Sequence, residues 1–160
     1  MKTLHRIEDL FLIFLFSAAL AALTAQLASR YFLTYQFPWT EELARFLFTW
    51  IVFFGAANAM RHSGLIAVTL IPDQMPDRAR AGLAILMHLL GGTFFAVLIW
   101  VGIMLVIKVA GLPTIAMGIS SAFEYGAVPA ASVLMSVRSF GAAWKIWRNG
   151  LPRDGAATLM

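Results

Sequence analysis

Four stretches of this chain are each long and apolar enough to cross a lipid bilayer, and nothing else in the sequence constrains its fold as tightly. A hydrocarbon core takes roughly 20 apolar residues per helical crossing. Inside it every backbone polar group must find a partner, which leaves only helices and closed barrels. The blocks fall near 10–29, 43–60, 82–107 and 119–137. The third is longer than one crossing requires, so tilt or a protruding end is expected there. Composition agrees: 61% of the 160 residues are apolar, only 12% are charged, and the mean hydropathy is +0.81. Soluble domains lie nearer half apolar and a quarter charged. The sequence therefore predicts an all-α integral membrane protein, a single four-helix transmembrane domain over residues 1–160 with no room for a soluble domain.

The first block reads as an uncleaved helix. Lys2 and Arg6 precede it and "ALTA" (Ala22 to Ala25) resembles a cleavage site, but Glu8 and Asp9 spoil a basic leader and the apolar run continues past that point. Orientation follows from the basic residues. Lys2 and Arg6 precede block one, Arg61, Arg78 and Arg80 lie between blocks two and three, and Arg138, Lys145, Arg148 and Arg153 lie after block four. The other two connections hold only Arg30 and Lys108, with Arg45 at the start of block two. Both termini and the middle loop are expected on the cytoplasmic side. In that loop Leu65, Ile66, Val68, Leu70 and Ile71 are too apolar for water and too few to span, so an interfacial segment is expected between helices 2 and 3.

Chemistry-bearing patterns are few. The net charge of +4 comes from basic residues scattered singly between apolar blocks, which is no nucleic-acid footprint. The chain has no P-loop, no GxGxxG, no HExxH and no cysteine. Neither an enzyme nor a metal or cofactor site is expected. His62 and His88 could in principle hold a haem, but their depths differ by roughly 10 Å at about 1.5 Å per residue.

Small residues at four-residue spacing mark grooves for close helix approach, which is what drives association in lipid. The rows are Ser17, Ala21, Ala25 and Ser29; Gly55 and Ala59; and Gly118, Ala122, Gly126 and Ala130. They serve either the packing of the unit itself or a contact with another chain. Three charges stand at the mouth of block two, in "FPWTEELARFLFTW" (Phe37 to Trp50). Thr40 is placed to cap the helix, and Glu41 and Glu42 fall in its first turn, where exposed amides favour negative charge. Arg45 reaches either carboxylate along one face. The group is either a helix-starting clamp or a docking point for a second chain. Glu124, inside block four, is expected to pair near the outer surface with Lys108 or Arg30, to meet a partner, or to couple protons.

The string Trp39 to Arg61, with Trp-Thr-Glu-Glu, Arg45, Trp50, Gly55-Ala56 and Ala59, resembles the small membrane subunit of tripartite ATP-independent periplasmic (TRAP) transporters. The middle loop is similar as well, with a basic residue, "IAVTLI" (Ile66 to Ile71), Pro76 and a basic pair, and so are Glu124, Tyr125 and Val128-Pro129 in block four. One departure stands out: Leu65 occupies a position that is often histidine in that family. The resemblance implies a scaffold in the bacterial inner membrane, without enzymatic activity. Its partners would be a large multi-span subunit that performs sodium-coupled uptake of an organic acid, and a periplasmic substrate-binding protein. Two rivals remain: a self-sufficient homodimeric transporter with Glu124 as coupling acid, and a haem-binding membrane anchor of a redox complex.

Overall fold

The computed structural model describes residues 2–32, 37–61 and 76–150. Across them run five helices: α1 (Lys2–Phe32), α2 (Pro38–Arg61), α3 (Asp77–Val109), the single turn α4 (Ala122–Tyr125) and α5 (Ala127–Asn149). Among the described residues there is no strand, only an isolated bridge between Pro113 and Ser120. Three helices carry segments long and apolar enough to cross a membrane: Arg6–Tyr31, Pro38–Met60 and Arg78–Val109. The fourth long helix, α5, is more polar, and it buries Ser132, Ser136 and Ser139 against its neighbours. The interfacial segment expected between helices 2 and 3, with Leu65, lies outside the described residues, as does His62.

The long helices stand in the order α1–α2–α5–α3: α2 packs on α1 and α5, and α5 packs on α2 and α3. Small side chains line the seams. Ala19, Ala22, Ala44, Ala57, Ala84, Ala127, Ala131 and Ala143 are all buried, while large residues such as Phe14, Leu90, Phe94 and Trp100 point outward. That inversion of the soluble pattern is what lipid favours, because apolar side chains gain nothing by leaving it and backbones gain contact by approaching.

The α3–α5 seam shows this most closely. A Cβ on Gly102 would sit 3.0 Å from the Pro129 ring, and one on Gly92 would sit 2.9 Å from the Phe140 ring. The Ser136 hydroxyl donates to the Gly92 carbonyl at 3.3 Å. Gly92 facing Phe140 and Gly102 facing Pro129 make the two helices antiparallel.

Block four is helical further along the chain than its apolar run indicates. Ile119 and Ser120 belong to a turn, α4 is a single turn, and α5 continues to Asn149. Pro129 gives the reason for the break: without an N–H it cannot bond the Tyr125 carbonyl, so the ladder is interrupted between α4 and α5. Past the apolar run, α5 is sustained by its contacts with α3 rather than by hydropathy.

Candidate functional site: two polar clasps on an apolar layer

At one end of the layer, α2 holds the connection between α3 and α4. That connection is a tight turn: Thr114 N–H donates to Ile119 O at 2.8 Å, Gly118 N–H to Thr114 O at 3.0 Å, and Ser121 N–H to Leu112 O at 3.0 Å. Gly118 sits at φ +67°, where a side chain is strained. The tip leaves two amides pointing away, and Glu42 takes both: Ala116 N–H donates to Oε1 and Met117 N–H to Oε2, each at 2.9 Å. Arg45 Nε lies 3.1 Å from Glu124 Oε1, with the Glu124 side chain largely covered. The Trp50 indole N–H donates to the Phe123 carbonyl at 3.0 Å.

At the opposite end a second clasp ties α1 and α2 to α5. Arg138 donates through Nη2 to Glu8, at 2.7 Å to Oε1 and 2.6 Å to Oε2, and through Nη1 to the Ala57 carbonyl. Asn58 Nδ2 donates to Asp9 Oδ1 at 3.1 Å. An aromatic run, Trp50 on Phe54 on Phe11, joins α2 to α1 between the clasps, with centroids 5.4 Å apart in each step.

Several sequence expectations change here. Thr40 does not cap α2, because the helix starts at Pro38, whose fixed φ suits a first helical position. The Thr40 hydroxyl instead donates to Phe37 O at 2.7 Å. Arg45 pairs with Glu124 rather than with Glu41 or Glu42, and Glu124 pairs with Arg45 rather than with Lys108 or Arg30. Glu41 is exposed and has no ion pair among the described residues.

The small-residue rows are also placed differently. Gly118 lies in the turn and belongs to no helix face. A Cβ on Gly126 would crowd its own chain, 3.0 Å from the Ala122 carbonyl, and not a neighbouring helix. Ala122 and Ala130 are half-buried, and the covered row of α5 runs one position on, through Ala127, Ala131, Met135 and Ala143. In α1 the covered residues are Leu15, Ala19, Ala22 and Ser29, leaving Ser17, Ala21 and Ala25 exposed. A Cβ on Gly55 would meet nothing within 4 Å among the described residues, and Ala59 one turn on is half-buried.

Sequence reasoning missed Arg138 with Glu8, and also the glycines of α3. From sequence alone Arg138 reads only as a charge following a shorter helix. Gly91-Gly92 and Gly102 stand ten to eleven apart along α3, inside the most apolar block.

An open apolar groove of about 460 Å³ lies between α1, α2 and the turn, lined by Phe11, Leu15, Leu43, Phe46, Leu47, Trp50, Met117, Ile119 and Phe123. Its one side-chain N–H, on Trp50, is already bonded to Phe123 O. An organic anion would find no side-chain donor there. Among the described residues no group of three or more His, Asp or Glu side chains is gathered to hold a metal ion. His88 is half-buried on α3.

Apolar helices joined by polar clasps at their ends define a multi-pass membrane protein. The family model for tripartite ATP-independent periplasmic transporters, DctQ component, matches residues 10–149, and the chain belongs to that family. It is 29% identical over 165 residues to the sialic acid TRAP transporter small permease protein SiaQ of Vibrio cholerae, covering 99% of this chain and 92% of that protein. It is also 29% identical over 146 residues to the sialic acid TRAP transporter permease protein SiaT of Haemophilus influenzae, covering 86% of this chain but 22% of that much longer protein.

Proposed function

We propose that this chain is the fixed scaffold of a TRAP-type secondary transporter in the bacterial inner membrane, with four helices crossing and both termini cytoplasmic. A large multi-span chain beside it carries out sodium-coupled uptake of an organic acid delivered by a periplasmic binding protein. The observation that carries this reading is where the polar groups go. Glu8, Glu42, Arg45, Glu124 and Arg138 are consumed in joining helices of this chain, and the apolar groove between the clasps offers nothing to an anion. A solute pathway needs convergent polar groups near the midplane. The likeness to 22% of a much longer permease supports a large chain as neighbour. Gly55, with open space where a Cβ would stand, and the exposed Glu41 are candidate contacts for that neighbour.

The experiment is co-expression with the large membrane chain of a TRAP transporter from the same organism. The two should copurify in mild detergent, and Gly55→Leu should weaken the association while the small chain alone melts as before. Isolation of the small chain free of any large membrane protein, under conditions that preserve related complexes, would overturn the reading.

A further inference from the structure

We propose that the last two turns of α5 form a binding surface for anionic phospholipid headgroups. The clasps use up the charges of this chain near the Arg138 level, yet beyond it α5 carries a separate set. Trp144 and Trp147 are 59% and 69% exposed, and their rings meet edge to face with centroids 5.2 Å apart. Lys145 and Arg148 beside them are exposed and make no hydrogen bond or ion pair among the described residues. At 100° per residue, Trp147, Trp144, Arg148 and Lys145 fall within an arc of about 160°. That arc faces away from Ala143 and Ile146, which are buried. Antiparallel packing of α3 on α5 brings the exposed Arg78, at the start of α3, to the same end.

The combination points to one occupant. Indoles settle at the depth of lipid headgroups, and long basic side chains reach outward from there to phosphate. Arginine adds a planar fork that matches phosphate oxygens. The negative end of the α5 dipole would account for two cations near its C-terminus, but not for a pair of exposed indoles on the same arc. A protein partner would call for carboxylates opposite Lys145 and Arg148 and for cover over both indoles. The lipid reading needs only the bilayer that the family already lives in. It rests on the proposed four-helix placement solely for which leaflet is met.

The test is native mass spectrometry of the purified full-length chain, loaded with equal amounts of phosphatidylglycerol and phosphatidylcholine of identical acyl chains. Retention should favour phosphatidylglycerol on the order of tenfold, given two cations at the surface. Lys145→Gln with Arg148→Gln should abolish the preference, with helix content and melting unchanged. Trp144→Leu with Trp147→Leu should reduce retention of both lipids. Equal retention of the two lipids by the unaltered chain would overturn the proposal. So would a basic-pair variant that keeps its lipid preference but loses the copurifying large chain, which would make the patch a protein interface. Because lipid retention is read on this subunit alone, it stands apart from any result on transport.

Discussion

Glu42 answers why a membrane helix should begin among charges. A turn at the membrane boundary exposes amides that neither water nor a strand reliably meets, and each orphaned donor there is costly. One carboxylate satisfies Ala116 and Met117 together. Glu42→Leu removes both acceptors and should lower the melting temperature of the isolated subunit. Thermal melting in detergent measures the loss, and faster hydrogen exchange should be confined to the 112–121 turn. Unchanged melting and exchange would show that the turn holds its shape without the carboxylate. Arg45 and Glu124 add an ion pair nearby, worth little because Arg45 is over half exposed.

At the scale of helices, the two glycine environments predict opposite outcomes. Gly102→Ala places a Cβ 3.0 Å from the Pro129 ring, which is tied into the backbone and cannot swing aside. It should cost about 1–3 kcal/mol and loosen α3 from α5. Gly55→Ala meets nothing within 4 Å and should leave the isolated subunit's melting unchanged. Equal melting shifts for the two variants would contradict the packing described here.

The Glu8–Arg138 clasp makes a second element-scale prediction. Both side chains are largely covered, at 13% and 21% exposure. Glu8→Gln should cost about 1–3 kcal/mol, below the roughly 3–5 kcal/mol of a fully buried pair. Glu8→Gln combined with Arg138→Met should cost less than the two single changes added together. Strict additivity in that cycle, read from melting, would show that the two residues act independently.

Helices were legible in the sequence because lipid leaves so few alternatives, and the apolar blocks at 10–29, 43–60 and 82–107 all lie inside observed helices. The end of α5 was not legible, since its later turns are sustained by packing on α3 that hydropathy does not register. Small residues announced close packing but not its phase. The row through Ala122 and Ala130 is half-buried, whereas the row through Ala127 and Ala131 is covered. Glu42 stood out by position, but its partners are backbone amides more than seventy residues away, which no local spacing reveals.

As a whole molecule, the layer α1–α2–α5–α3 has two broad apolar faces and is pinned at both ends. From Glu42 to Asn58 along α2 is about 24 Å at 1.5 Å per residue, close to the thickness of a bilayer's hydrocarbon core. The clasps are therefore spaced on the scale of that core. Such a unit resists shear between its helices, which suits a part that stays still while a neighbour moves. The most direct measurement is uptake of a labelled organic acid into proteoliposomes under an inward sodium gradient, with the binding protein present. Three preparations are compared: this chain alone, the large chain alone, and both together. The account predicts uptake only with both chains. Uptake by this chain alone, dependent on the gradient, would contradict it.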